Sequence, residues 1–208
     1  VSKLESNWQF AEQYPVETAA MISARHLSLE YGIEPLSRAL AAQVANIAAI
    51  SRASHICELG TGVGLSGLAL LRYNNAHLTS IDIEPEYHRH AKPLFAKAGI
   101  TPSRLRLIEG DATSVLPRLN HGAYDLVLID ANPGGILNYV EYGLQVIKPG
   151  GSLLIPNALR GGNLPNPAAR DQVTQEFRDL LNIMVESPAV SASLSPIGNG
   201  LLTLTRLA

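Results

Sequence analysis

The sequence holds a single cysteine, Cys57, so no internal disulfide can form. A thiol inside the apolar run His55–Leu59 reads as a small buried hydrophobe. No apolar stretch is long enough to cross a bilayer, and none of the Lys/Arg runs exceeds a pair. The formal net charge is only −2, so the basic footprint of a nucleic-acid-binding face is missing. Val1–Trp8 lacks the basic-then-apolar pattern of a secretory leader, which points to the cytoplasm. Repeats and low-complexity segments are also missing, which excludes solenoids and linker arrays. What remains is a chain of 208 residues, 46% of them hydrophobic, enough to bury the core of one domain.

The periodicity divides that domain in two. Residues 1–52 carry helical stripes, first over 7–29 with Pro15 interrupting, then from Pro35 onward. There Leu36, Leu40, Val44, Ile47 and Ile50 share one face. Residues 53–208 alternate. Strands are predicted at His55–Leu59, His77–Ile83, Leu105–Ile108, Tyr124–Asp130 and Ser152–Ile155. Helices are predicted at Leu65–Tyr73, Pro85–Ala98, Ala112–Leu119, Leu137–Ile147 and Pro167–Ser187. Strands at Val190–Leu194 and Leu201–Arg206 flank Gly198-Asn199-Gly200, a turn tolerant of positive φ. Five β-α units followed by one hairpin predict an α/β fold: a mostly parallel seven-stranded sheet, antiparallel at its C-terminal end, with helices on both faces. Ligands of such sheets bind at the carboxyl ends of the strands.

Candidate chemistry gathers at those ends. Glu58-Leu59-Gly60-Thr61-Gly62-Val63-Gly64 leaves the first strand and opens a helix, where glycines let a ligand approach the backbone. By itself the loop suits a methyl donor, a dinucleotide or a plain strand-to-helix turn. Asp82 ends the second strand and can accept from both hydroxyls of a ribose, which supports an adenosine ligand of either kind. Its bland reading is a helix N-terminal acid, a role that Glu84 suits better. Gly110-Asp111-Ala112 follows the third strand, with a carboxylate for an exocyclic amine and an N–H for a ring nitrogen. Tyr124–Ala131 and the Lys148-Pro149-Gly150-Gly151 turn complete the series.

In that order, over residues 55–155, the motifs resemble those of class I S-adenosylmethionine-dependent methyltransferases. Within that class the chain resembles bacterial O-methyltransferases related to catechol and caffeoyl-CoA methyltransferases. This likeness reaches into the N-terminal helices and the ending Ser195–Leu201. The resemblance implies S-adenosylmethionine as cofactor, a small-molecule hydroxyl as acceptor, phenols among the candidates, and a homodimer. It places Glu58, Gly60, Thr61, Gly62 and Ser66 around the donor's methionine part, with backbone from Ile33. Asp82 and Ile83 fall at the ribose, and Asp111 and Ala112 at the adenine. Asp130 lies between donor and acceptor beside Asn132, and is the candidate catalytic residue.

Two departures bear on chemistry. The family's Asp-Ala-Asp-Lys is here Asp130-Ala131-Asn132-Pro133, and the Asp-Asn of its metal-using members is Pro156-Asn157. Asp130 and Asn157 are left as a weak pair for a hard divalent ion, which prefers several oxygens and charge to offset its own. Two other functions stay open. An NAD-dependent oxidoreductase would need a catalytic constellation, yet Tyr139 has Gly143, not lysine, four residues on. A non-catalytic S-adenosylmethionine-binding protein would fit the lost lysine and aspartate. His88 and His90, two apart on one helix, face different sides and read as solvated; His26 and His121 read as surface residues. Tyr139 and Tyr142 read as packing residues.

Overall fold

The computed structural model describes residues 2–208. Eight α-helices and seven strands are defined among them. The order is α1 (Lys3–Gln13), α2 (Ala19–Glu30), α3 (Arg38–Ile50), β1 (His55–Leu59), α4 (Leu65–Leu70), β2 (His77–Asp82), α5 (Pro85–Lys97) and β3 (Leu105–Glu109). There follow α6 (Ala112–Val115), β4 (Tyr124–Ile129), α7 (Ile136–Val146), β5 (Ile147–Pro156), α8 (Gln172–Glu186), β6 (Val190–Ser195) and β7 (Leu201–Arg206).

The strands form one sheet in the order β3-β2-β1-β4-β5-β7-β6. The first five are parallel, and β7 runs antiparallel between β5 and β6. Strand order reverses between β1 and β4, so the crevice beyond their carboxyl ends is where a ligand is expected.

Alternate strand residues feed two cores. Ile56, Leu78, Leu126, Leu128 and Leu154 face the helices α2 to α5. Cys57, Leu59, Ile81, Val127, Ile129 and Leu153 face α6, α7 and α8. This two-sided burial explains the near-continuous apolar runs of the central strands. Cys57 is fully buried and burial pushes its thiol up to about 12, so it packs as a hydrophobe.

Where expectation placed Leu65–Tyr73 and Ser152–Ile155, α4 ends at Leu70 and β5 spans Ile147–Pro156. Three further helix boundaries differ, each for a local reason. The helix expected from Pro35 begins at Arg38, because the Ser37 hydroxyl accepts the Leu40 N–H as its N-cap. The long helix expected from Pro167 begins at Gln172, because Asp171 caps it through Thr174. The helix expected over Ala112–Leu119 stops at Val115 and continues as a 3-10 turn, Leu116–Arg118, since Pro117 cannot supply an N–H to the ladder. Pro15 separates α1 from α2 as expected.

Candidate active site

Three backbone hydrogen bonds align the carboxyl ends of the central strands. The Gly60 N–H donates to the Ile81 carbonyl, the Gly110 N–H to Asp82, and the Asp130 N–H to Leu59, each at 2.9 Å. They bring the loops after β1, β2, β3 and β4 to one edge. There a cavity of about 330 Å³ opens, bounded on its far side by the segment between α2 and α3. Its walls include Ile33, Gly60, Thr61, Gly62, Ser66, Asp82, Ile83, Asp111, Ala112, Asp130 and Asn132. Of the residues expected around a donor, Glu58 alone stands behind the wall.

The glycine loop owes its shape to two different constraints. At Gly60, φ is +90° and an added Cβ would lie 2.1 Å from the Asp130 carbonyl oxygen, so the close approach of β1 and β4 demands glycine. At Gly62, φ is +48°, but a Cβ would meet only Ile33 side-chain atoms at 3.9 Å, across the cavity. That space is open and not filled by packing.

Glu58 is fully buried at the end of β1. Its Oε2 accepts from the Ser80 hydroxyl at 2.5 Å, while Oε1 has no partner. Burial raises its pKa to about 7, and the Ser66 and Ser80 hydroxyls pull the other way. A cationic donor beside Oε1 would relieve that cost.

Asp82 uses one carboxylate oxygen to accept the Gly62 N–H at 2.9 Å and the other to accept the Glu84 N–H at 3.0 Å. It thus anchors the glycine loop to β2 and keeps lone pairs for two further donors. Glu84 occupies the N-cap position of α5, the helix N-terminal place expected of it, and makes no side-chain cap bond there. Asp111 caps α6 through Oδ1, accepting from Ser114 N and the Thr113 hydroxyl. The Thr113 contact, with the Ser114 and Thr113 N–H groups, holds its pKa down despite a small opposing effect of burial.

A second cavity, about 500 Å³, shares Glu34, Asp130, Ala131, Asn132 and Tyr139 with the first. Its remaining wall comes from the β5–α8 connection, with Asn157 and Arg160, and from Phe177 of α8. Asn157 and Arg160 both sit in the left-handed region, φ 56° and 53°, where non-glycine residues are strained. The turn before β7 braces this connection: Leu159 N–H donates to the Asn199 carbonyl at 2.9 Å and Gly161 N–H to its Oδ1 at 2.8 Å.

Asp130 stands where the cavities join. Its side chain makes no hydrogen bond within the protein, and burial, reinforced by the Glu34 carboxylate, raises its pKa to about 6. Pro156 and Asn157 line the second cavity with it. Among the described residues no three His, Cys, Asp or Glu side chains cluster as metal ligands.

Several side chains were misplaced or missed by sequence. His88 is buried, not solvated: its Nε2 lies 3.0 Å from the Thr61 hydroxyl, which is 2.6 Å from Ser80 Oγ. Burial lowers its pKa. His88 shares the inward face of α5 with Ala91 and Phe95, a spacing of three and then four, and that stripe was the available signal. His90 is only partly exposed and meets the Tyr31 hydroxyl at 2.6 Å. His26 and His121 are exposed, as expected. Tyr139 is buried, as a packing residue should be, but also lines both cavities. Tyr87, in the first turn of α5, lines the first cavity and went unnoticed.

Comparison with known proteins gives the context. The O-methyltransferase family model matches residues 34–207. A Mycobacterium avium protein, named by inference as an O-methyltransferase, is 40% identical over 207 residues, 99% of this chain and 93% of the relative. A Corynebacterium glutamicum crystal structure superposes with a TM-score of 0.91 at 27% identity, covering 100% of this chain and 98% of that one. The O-methyltransferase TomG of Streptomyces achromogenes, involved in tomaymycin synthesis and crystallised with SAM, gives 0.88 at 23%, covering both chains fully (100% and 100%).

Proposed function

The chain belongs to the O-methyltransferase family, and from that premise we propose how its two joined cavities divide the reaction. It is an S-adenosylmethionine-dependent enzyme that methylates a hydroxyl of a small molecule. The first cavity takes the donor and the second the acceptor, and Asp130 serves as base at their junction. The observation that carries this reading is Asp130 itself: an unpartnered carboxylate lining both cavities with a pKa raised to about 6.

The residues of the first cavity fit the donor's three parts. Thr61 and Ser66 line the cavity for the methionine part, and behind that wall the unpaired Glu58 Oε1 is an acceptor that would attract an ammonium group. The N-terminal end of α4, reached through Gly62 and Gly64, offers N–H groups to a carboxylate. Asp82 keeps lone pairs for a ribose, with Ile83 alongside, and Asp111 and Ala112 face the adenine. Ile33 closes the cavity from the other side.

The bound donor supplies an electrophilic methyl carbon. Asp130 accepts the acceptor's hydroxyl proton, so that the oxygen lone pair can form the new C–O bond as the C–S pair returns to sulfur. A base with its pKa near the working pH combines a large ionised fraction with useful proton affinity. Holding the two reactants in line supplies the rest, on the order of 7–11 kcal/mol in model systems.

The second cavity does not suit a resident divalent ion. Its lining holds the carboxylates of Asp130 and Glu34 and the neutral amides of Asn132, Asn157 and Asn199, with Pro156 where the family's metal-using members carry a carboxylate, and no three His, Cys, Asp or Glu side chains cluster among the described residues. The enzyme therefore relies on Asp130 for deprotonation of a phenolic acceptor. Homodimerisation is supported by α1, which buries none of its residues and exposes Leu4, Trp8, Phe10 and the adjoining Tyr14. An isolated helix of this length is marginal in water, and a second copy would cover it. Incubation with S-adenosylmethionine and a panel of phenols, followed by mass spectrometry for a methyl ether, tests the reading. Transfer that persists in Asp130→Asn at the wild-type rate would remove Asp130 from its role.

A further inference from the structure

Arg160 is the cationic side chain of the second cavity, and its guanidinium is chemically unspent. It makes no side-chain hydrogen bond and no ion pair, although Glu34 and Asp130 line the same cavity. Its Nε is buried without an acceptor. The guanidinium carbon lies 5.5 Å from the centre of the Phe177 ring. An aromatic contact of this kind leaves the N–H donors of the two terminal nitrogens available.

Nearby carboxylates do not use them. Asp171 feels Arg160 only weakly, and its oxygens are committed to the Thr174 N–H and hydroxyl. The backbone around Arg160 is held firmly: its φ is 53°, and the Asn199 turn is hydrogen-bonded to both chain neighbours, Leu159 and Gly161. Asn157 and Asn199 line the same wall, and neither side-chain amide donates to a protein acceptor. A fixed fork, a buried unsatisfied N–H and two amides with unused donors make a receptor for a planar oxyanion.

We propose that Arg160 selects acceptors bearing a carboxylate, binding that group in the second cavity while the acceptor's hydroxyl meets Asp130. This rests on the assignment of the second cavity to the acceptor. The apolar lining of the cavity, Ile129, Ile136, Ile155 and the Tyr139 ring, favours an aromatic carboxylate over a short aliphatic one.

The test uses the full chain and three probes: 3,4-dihydroxybenzoate, its methyl ester and catechol. Each is titrated calorimetrically into the protein with and without S-adenosylhomocysteine. The carboxylate should bind roughly tenfold or more tighter than the ester, as expected for a charge-assisted contact. Arg160→Met, which keeps a long apolar stem over Phe177, should abolish that preference, and Arg160→Lys should restore part of it. S-adenosylhomocysteine affinity should be the same in all three proteins, which also reports that each is folded. Equal binding of acid and ester by the wild type would overturn the proposal. So would a preference surviving in Arg160→Met, or no saturable binding of the acid. Failure of S-adenosylhomocysteine to bind would instead count against the donor cavity, and the titrations without it still read the carboxylate preference.

Discussion

Replacing Asp130 by asparagine should make the protein more stable and the enzyme nearly inert. The side chain is almost isosteric, so packing at the end of β4 is retained. What changes is charge. Burial and the Glu34 carboxylate raise the pKa of Asp130 from 3.8 to about 6. Each pKa unit is about 1.4 kcal/mol, so the ionised carboxylate opposes folding by on the order of 3 kcal/mol above pH 6. Below the unfolded-state value near 3.8 the cost is absent. It grows as the pH rises through the interval and is complete above the folded value. The neutral amide escapes it at every pH. At pH 7.5 the variant should therefore melt several degrees higher, since one kcal/mol shifts a domain of this size by roughly 2–4 °C, and near pH 3.5 the two proteins should melt together. Turnover should fall by roughly a hundredfold or more, the usual contribution of a general base. In the wild type, turnover should decline about tenfold per pH unit below 6, and the variant should lose that limb. Paired melting curves and initial rates across pH 5 to 8 read both effects. A variant that melts lower at pH 7.5, or one that keeps the acid limb, would refute the reasoning.

Four further outcomes follow from the geometry. Gly60→Ala should cost roughly 3 kcal/mol or more of stability, because its Cβ must displace the Asp130 carbonyl. Gly62→Ala should cost only about 1 kcal/mol for its left-handed φ, yet lower S-adenosylhomocysteine affinity at least tenfold; denaturant titration and calorimetry on both separate a packing role from a ligand role. Activity should survive a chelator, and a loss that Mg²⁺ restores would show a metal site rebuilt from other groups. Asp125 accepts from the Ser54 and His55 N–H groups and from Lys148, which outweigh its burial and hold its pKa well below the usual carboxylate range. Its contribution is present above the unfolded pKa near 4 and lost as the pH falls further. Asp125→Ala should thus cost about 2 kcal/mol at pH 7 and less with increasing acidity, read by denaturant titration.

The parts of this site that the sequence revealed are those a short stretch of chain creates by itself. A strand end, a glycine loop and a helix start are contiguous, so Gly60, Thr61, Gly62 and Ser66 could be placed from their order alone. Asp82 ends β2, Asp111 and Asp130 lie just beyond β3 and β4, and the register of these parallel strands gathers them. Helix starts were less legible because two signals competed. Pro35 and Pro167 fit a first helical position, but Ser37 and Asp171 offered side-chain caps two and four residues later, and the caps set the boundary. Arg160 and Phe177 come from separate elements and meet only through the packing of α8, so no local pattern announces the pair. His88 is different in kind: its helical stripe pointed inward, and its polarity hid that, because a buried imidazole needs the Thr61 hydroxyl to satisfy it.

The central claim, that the first cavity holds a methyl donor, is tested most directly by calorimetric titration with S-adenosylhomocysteine and, separately, with NAD. One saturable site for S-adenosylhomocysteine is expected, weakened by Glu58→Gln and by Asp82→Ala, with no heat from NAD. Binding of NAD with no S-adenosylhomocysteine signal would contradict it.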